Sequence, residues 1–319
     1  MKNIYSNILR FNSNNLIKII KTLKKGRIIA LPTETVYGLA GNAYSNKAIK
    51  KIFISKKRVK KNPLIVHYYD LKQASKDVIF DKKFLRVYNK FSPGPITYIV
   101  KKKSDSRIKP IVCANLKTVG IRFPRNKIIR KILKNIDFPL AMPSANKSAS
   151  ISPINPRDVS EEFKNKIQVV DGGSSNVGIE STVLNLAGNI SILRPGKVTP
   201  AQIGKILKKK IKFSSSNRIL KSPGNLRRHY SPNILMLLNK KKCPEKYAFI
   251  TFGSKYPVTR NSFNLSKKSN LNEAARNLYK FFRIIKKKRY KKIYVAPIPK
   301  KGIGYAINDR LKRAANKWN

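Results

Sequence analysis

Two short polar runs have the composition needed to hold a chain of phosphates. Lys56, Arg58 and Asn62 stand just ahead of an apolar stretch, and Ser144 and Asn146 stand just behind another. Cations and neutral hydrogen-bonding groups in this mixture suit phosphate oxygens, which take a guanidinium as a fork. The same residues also read as a solvated lysine run and a Ser/Asn turn, so neither run decides the matter alone. Arg122, inside VGIRF, is harder to assign to solvent. A guanidinium in an apolar strand needs a partner, and a carboxylate or phosphate matches its geometry best. His67 sits within LIVHYY, where a lone histidine is more often a hydrogen-bonded core residue than a catalytic one. Glu180, Ser181 and Thr182 follow Gly178 at a strand start, and Arg194 precedes Pro195 and Gly196 at a strand end. With 14 acidic residues against 71 basic ones, the placing of Glu34, Asp171, Glu180 and Asp309 in Gly- or Thr-punctuated segments points to roles beyond solubility, or to caps.

Other chemistries lack their parts. Cys113 and Cys243 are far apart with no neighbouring thiol, which removes a disulfide framework and a cysteine zinc site. Two histidines, His67 and His229, leave little for histidine metal sites or a Ser/His/Asp arrangement. There is no Walker A sequence, and the Gly302–Gly304 GIG lacks the third glycine of a dinucleotide fingerprint. The first residues, MKNIYSNILRFNSNN, lack the apolar stretch of a signal peptide, and no run approaches the roughly 18 apolar residues of a membrane span. The expectation is a soluble, cytoplasmic protein with no membrane partner.

The elements that must position these residues can be read from periodicity. The 319 residues suggest two domains. Leu16, Ile19, Ile20 and Leu23 share a helix face that Ser13 can cap and Gly26 can end. A strand over 27–31 meets Pro32, which opens the polar segment 33–35. Ser45 can cap a second helix carrying Ala48, Ile49, Ile52 and Phe53. Further strands are expected over 64–69, 96–100, 119–123, 140–142, 168–170, 182–186 and 190–194, with helices over 126–133, 156–163 and from Thr199–Pro200 onward. Residues 187–189 make a hairpin loop. The apolar periodicity lapses over 209–233, a Ser-, Pro- and Arg-rich interdomain linker. Beyond it, strands over 234–238, 247–252 and 292–296 alternate with helices over 271–287 and to about 316, which suggests a small doubly wound domain. The division is 1–208, 209–233 and 234–319.

The formal charge of +57 should draw polyanions toward the surface. Lysine, isoleucine and asparagine are overused along the whole chain, as A/T-rich codon drift produces, and no nucleic-acid motif accompanies the lysine runs. Weak, nonspecific RNA adhesion is the expectation that follows.

In this order, LPTETVYGLAGNA, KKRVKKNPLIVH, PGPITYIV, VGIRFP, PSANKSASISP, VDGG, GIESTVLNL, ILRPG, SPGNLRRHYSP and GIGYAINDRLKRAAN resemble the Sua5/YrdC family of threonylcarbamoyl-AMP synthases, in its long Sua5 form. The resemblance covers nearly the whole chain. It implies an α/β fold: a YrdC-like twisted mixed sheet with flanking helices, plus a smaller Rossmann-like C-terminal Sua5 domain. It implies synthesis of L-threonylcarbamoyladenylate and pyrophosphate from L-threonine, bicarbonate and ATP, the first step toward N6-threonylcarbamoyladenosine at position 37 of ANN-decoding tRNAs. A downstream tRNA threonylcarbamoyl transferase complex would take the product. Carried over by position, Thr35, His67, Arg122, Ser181 and the backbone at Met142 would hold threonine. Arg58, Asn62, Thr118, Ser144, Ser152, Arg194 and Tyr230 would contact ATP. Lys56, Arg58, Ser144 and Asn146 form the family's KxR and SxN set. Magnesium is expected with ATP, with no protein ligand assignable. Two departures stand out: Val59 replaces a proline of the loop before Asn62, and Leu226, Arg227 and Arg228 replace an aromatic pair. Tyr230 would fold back over the site, making the linker a lid that excludes water. The rival readings are a noncatalytic double-stranded RNA- or tRNA-binding module of the same fold, and another carbamoyl or adenylyl transferase.

Overall fold

The computed structural model describes residues 5–214 and 229–315. The first part runs β1 (Ile8–Arg10), α1 (Ser13–Lys24), β2 (Ile29–Leu31), β3 (Gly38–Asn42), α2 (Asn46–Lys56), β4 (Ile65–His67), α3 (Leu71–Ala74) and α4 (Lys82–Phe91). It continues through β5 (Ile96–Lys101), β6 (Thr118–Arg122), α5 (Lys127–Lys134), β7 (Leu140–Ala141), α6 (Pro156–Glu162) and β8 (Val169–Asp171). β9 (Thr182–Asn185), β10 (Ser191–Arg194), α7 (Pro200–Leu207) and β11 (Lys212–Phe213) complete it. These strands form one eleven-stranded mixed sheet in the order β1-β8-β2-β3-β7-β4-β6-β5-β9-β10-β11.

Helix α1 shows how the pattern becomes packing. Leu16, Ile19 and Leu23, three and four residues apart, are buried against Ile129, Ile132 and Leu133 of α5. Each such side chain contributes about 1.5–3 kcal/mol on burial. The cap is Asn12 rather than Ser13: the Asn12 side chain accepts from the Asn15 N–H at 2.8 Å, and Ser13 is already helical. Thr199 does cap α7, in a reciprocal box with Gln202.

Strand β3 escaped the sequence reading because GLAGN carries two glycines and little β-propensity. It pairs antiparallel with β2, so residues 32–37 form the connection between paired strands. That hairpin presents the polar segment beginning at Thr33 as a tip next to the sheet's centre. On the other side of the centre, β4 and β6 run parallel with His67 opposite Arg122. Strand register therefore sets these two side by side.

The second unit contains β12 (Leu235–Leu237), β13 (Ala248–Thr251), β14 (Ser262–Asn264), α8 (Leu271–Lys287), β15 (Lys292–Val295) and α9 (Gly304–Ala315). Its sheet is wholly parallel, in the order β12-β15-β13-β14. The doubly wound expectation needs correction. Both helices share one core with Met236, Ala248, Ile250, Phe263, Ile293 and Val295. The alternate residues Phe249 and Tyr294 turn to the opposite face and join Tyr256 in a small cluster with no helix among the described residues. Residues 238–247 connect β12 to β13 as a crossover without a helix, so only one face is wound.

The two units share a core. Val36, Ile151, Ile154, Val177 and Ile179 of the first pack with the α8 and α9 side chains of the second. Gly178 permits this approach: its φ is +78°, and a Cβ there would lie 2.5 Å from the Arg276 Cα of α8. Of the linker reading, residues 212–213 form an edge strand on β10, and 215–228, including Leu226, Arg227 and Arg228, lie outside the described residues.

Candidate active site

The hairpin tip, the ends of β4 and β6, the loop after β7 and the segment before β9 meet around one cavity. Thr35, Arg58, His67, Arg122, Met142, Ser144, Ser181, Arg194 and Tyr230 all line it. These are nine of the residues singled out from sequence. Lys56, Asn62, Asn146 and Ser152 are buried on the loops that carry the wall. Thr118 is the exception. It lies at the opposite end of β6, roughly 13 Å from Arg122 at about 3.3 Å per residue, and lines a separate cavity of about 470 Å³ with Lys117, Asn185 and Leu193.

Arg122 is held from two sides. Its Nη2 donates to Glu34 Oε1 at 2.7 Å and its Nη1 to Thr35 Oγ1 at 2.9 Å. Glu34 Oε2 accepts from the Arg125 N–H at 3.0 Å. Burial alone would raise the Glu34 pKa, but Arg122 and the backbone donors outweigh it and hold the carboxyl below its ordinary value. Thr33 Oγ1 bonds the Thr35 hydroxyl at 2.8 Å and donates to the Val36 carbonyl at 2.6 Å, which fixes the tip. Beside Arg122, burial and the neighbouring guanidinium push the His67 pKa well down, so its imidazole is neutral.

A second cluster surrounds Arg58. After α2, Lys57 takes a left-handed conformation that ends the helix and turns the chain. Arg58 then donates through Nη2 to Asn62 Oδ1 at 2.6 Å and to the Pro63 carbonyl at 2.8 Å. Lys56, only 1% exposed, donates to the Ser144 carbonyl at 2.5 Å and also to the Asn146 carbonyl. Its ammonium therefore fastens the loop of Ser144 and Asn146 to the end of α2. Burial first, and Arg58 second, lower its pKa well below the usual lysine value. Arg194 Nε donates to the Ser181 carbonyl at 3.0 Å and Nη2 to its hydroxyl at 3.1 Å, and that hydroxyl also bonds Thr97 Oγ1 at 2.8 Å.

Tyr230 enters from the second unit's side with φ +63° and no exposed surface. Its neighbours fasten it: the Ser231 N–H donates to the Ala149 carbonyl at 2.9 Å, and the Ser231 hydroxyl to the Ala314 carbonyl at 3.2 Å. With Tyr230 in place the cavity volume is about 40 Å³.

Sequence reasoning gave no role to several participants. Tyr37 lines the cavity, and its hydroxyl donates to the Gly173 carbonyl at 2.8 Å and accepts from the Gly172 N–H at 3.0 Å. Arg310, fully buried, donates through Nε to Glu180 Oε2 at 2.9 Å and through Nη1 to the Pro195 carbonyl at 2.8 Å. Its guanidinium also stands 5.0 Å from the centre of the Tyr230 ring. Tyr279 donates to the same carboxylate at 3.0 Å. Burial would raise the Glu180 pKa, yet Arg310 and Arg194 hold it down. The sequence signal for Arg310 was present in NDRLKRAAN, an arginine on the apolar face of a helix.

Nine buried side-chain polar atoms have no hydrogen-bond partner among the described residues, and eight belong to this site or its loops. They are Asn62 Nδ2, His67 Nδ1, Arg122 Nε, Asn146 Oδ1, Ser148 Oγ, Ser152 Oγ, His229 Nδ1 and the Tyr230 hydroxyl. Buried polar groups are ordinarily bonded, so such a concentration marks surface shaped for a polar ligand. Ser148 was not singled out from sequence, although it lies within the PSANKSAS run.

A large twisted mixed sheet with a buried, guanidinium-lined cavity closed by a second domain is the architecture of a two-domain α/β enzyme. The chain belongs to the Sua5/YrdC family, in its two-domain form. Residues 21–196 match the Sua5/YciO/YrdC family, described under telomere recombination, and residues 198–316 match the threonylcarbamoyl-AMP synthase C-terminal domain. The threonylcarbamoyl-AMP synthase of Pyrococcus abyssi is 32% identical over 316 residues, with 92% of each chain covered. That of Bacillus subtilis is 32% identical over 331 residues, covering 96% of this chain and 94% of its own. The synthase of Histophilus somni strain 129Pt is 30% identical over 187 residues, which is all of that protein and 57% of this chain. The crystal structure of P. abyssi Sua5 complexed with L-threonine superposes with a TM-score of 0.88 at 28% identity, over 97% of this chain and 96% of that one.

Proposed function

We propose that this protein condenses L-threonine, bicarbonate and ATP to L-threonylcarbamoyladenylate and pyrophosphate, supplying the first step of N6-threonylcarbamoyladenosine formation in tRNA. The observation that carries this reading is the division of the cavity wall into two sets of polar groups, each of which includes buried atoms without a hydrogen-bond partner among the described residues. One set is Arg122 Nε, His67 Nδ1 and the hydroxyls of Thr35 and Ser181, which suits an amino acid bearing a carboxylate, an amine and a hydroxyl. The other is Arg58 with Asn62 Nδ2, Arg194 and the Ser144–Asn146 loop, which suits a triphosphate.

The chemistry needs positioning more than a protein nucleophile. The threonine amine adds to bicarbonate with loss of water, giving a carbamate. A carbamate oxygen attacks the α-phosphorus, the bond from that phosphorus to the α–β bridging oxygen breaks, and pyrophosphate leaves with its electron pair. Arg58 and Arg194 would stabilise the charge that builds on the phosphoryl oxygens. Asn62 Nδ2 is a donor and suits a phosphate oxygen, whereas Asn146 Oδ1 is an acceptor and suits a ribose hydroxyl or an amine. Lys56 acts as a positioning residue through the carbonyls of Ser144 and Asn146. The Met142 N–H already donates to the Ile65 carbonyl at 2.8 Å, which leaves the Met142 carbonyl as its contact for threonine. Thr118 would meet the nucleoside end of an extended ATP in its own cavity. Among the described residues there is no group of three metal-ligating side chains, and Glu180 is held by Arg310 and Tyr279. The ion would arrive on the ATP phosphates with its own waters.

With Tyr230 seated, about 40 Å³ has room for a few waters and not for substrates. The segment of His229 and Tyr230 must therefore move for entry, and on return it would exclude water from a carbamate and a mixed anhydride that both hydrolyse.

Pyrophosphate release from ATP tests the proposal directly. Release should require both L-threonine and bicarbonate and fall sharply with L-serine. Release independent of threonine would mean a different adenylyl transfer. No release, with salt-sensitive binding of duplex RNA, would favour the binding-module reading.

A further inference from the structure

The helix-free face of the C-terminal sheet carries a second cavity, of about 660 Å³, beneath the crossover of residues 238–247. Its wall includes Phe249 and Tyr256, its rim Lys241, Lys242 and Lys255, and Pro297 closes one side. The two rings meet edge to face, with centroids 5.5 Å apart and planes at 84°. Both residues are buried, at 5% and 8% exposure, so their ring surfaces form a fixed wall rather than mobile surface groups. The Lys255 ammonium stands 5.4 Å from the Tyr256 ring centre. None of the three lysines pairs with a carboxylate among the described residues. Glu245 is the acidic residue on the wall.

Lysines at a rim are common in a chain with 71 basic residues. What sets this cavity apart is a rigid aromatic wall with Lys255 beside the Tyr256 ring and two further lysines on the lining, in a volume typical of small-molecule sites. A flat, apolar ring system seats against Phe249 and Tyr256, and an attached anion reaches the lysines. We propose that this cavity binds a nucleotide unit, with the base on the Phe249–Tyr256 wall and the phosphate at Lys241, Lys242 and Lys255. The unit is either a free mononucleotide or an unpaired nucleotide of an RNA strand.

The test uses the full chain, with uridine monophosphate and hexauridylate as probes titrated by calorimetry. Two variants address the site: Tyr256→Leu, and the triple change Lys241→Gln, Lys242→Gln, Lys255→Gln. A control triple, Lys18→Gln, Lys21→Gln, Lys24→Gln on α1, removes the same charge elsewhere. The site variants should weaken binding at least about fivefold, the scale of one lost base stack, and the control should change it less than about twofold. Weakening of both probes, of the monophosphate alone or of hexauridylate alone supports the site and identifies its source as either, the free nucleotide or RNA. Equal weakening by the control triple, or no probe affected by the site variants, overturns the proposal. Should Tyr256→Leu fail to fold, the two lysine triples decide. The site variants should leave the threonine and bicarbonate dependence of pyrophosphate release unchanged, so failure of the synthase reading and failure of this one are separately visible.

Discussion

Arg58 and Arg122 are both guanidiniums near the sheet's centre, but their surroundings give them different expected phenotypes. Arg58 is held by neutral acceptors only, Asn62 and Pro63, and so keeps its charge for a ligand. Arg58→Ala should lower kcat/KM for ATP by about 10²–10³, or roughly 2.7–4 kcal/mol of transition-state stabilisation, with unchanged RNA binding. Arg122 is paired with a buried Glu34 at 2.7 Å, and its removal strands that carboxylate. Arg122→Ala should therefore destabilise the fold by roughly 3–5 kcal/mol as well as raise KM for threonine, whereas Arg58→Ala should leave the melting temperature nearly unchanged. The two histidines yield a pH prediction. Burial and nearby cations keep both His67 and His229 neutral, with pKa values well below the usual one. The unfolded chain takes up protons at about pH 6.5 while the folded chain does not, so stability rises with pH across this range. It is complete above about pH 6.5 and falls on acidification by up to about 1.4 kcal/mol per pH unit for each histidine. Denaturant titrations between pH 7 and 5 should show that slope, and His67→Gln should about halve it. Residue types and order revealed most of this cavity from sequence. The Glu34–Arg122 pair, the brace from Lys56 and the partner role of Arg310 depend on distances between segments that no local pattern encodes.

At the level of elements, the β2–β3 hairpin and the segment around Tyr230 do most to shape the cavity, and the sequence treated them unequally. Long amphipathic helices such as α8 announce themselves through Leu278, Phe282 and Ile285 on one face. The three-residue strand β1 and the glycine-containing β3 carry too few periods to register, and they are strands because neighbours supply their hydrogen bonds. Cutting the chain after Lys210 is a poor test of a covering segment here, because it would expose the apolar surface of Val36, Ile151, Ile154, Val177 and Ile179. A point change is cleaner. Tyr230→Ala should leave pyrophosphate release measurable but shorten the lifetime of the acyl adenylate, seen as a falling ratio of intermediate to pyrophosphate in quenched time courses. An unchanged ratio would remove the water-excluding role.

Across the whole molecule, three of the scarce carboxylates join the two units. Glu180 meets Arg310, Asp158 meets Arg283 and Glu161 meets Lys287, each pair crossing between the two units. The Glu180 pair is buried and the Lys287 pair largely exposed, so the first should dominate. In a double-mutant cycle, Arg310→Met alone should destabilise by roughly 3–5 kcal/mol, and Glu180→Gln with Arg310→Met by clearly less, because no charge is then left unpaired. The unbalanced remainder of +57 repels itself. Low-salt melting temperature should accordingly rise on adding inorganic polyphosphate, and substitution of any single surface lysine should not abolish the rise. The close approach at Gly178 bears on how such a protein can be rebuilt. The synthase of H. somni is matched over its whole length by 57% of this chain, so a shorter scaffold of that kind invites fusion to the C-terminal unit found here. Such a hybrid needs a bare α-carbon at the position equivalent to Gly178: any side chain there would strike α8 and hold the grafted unit off, leaving the donor's arginine short of its carboxylate and the aromatic plug out of reach of the pocket.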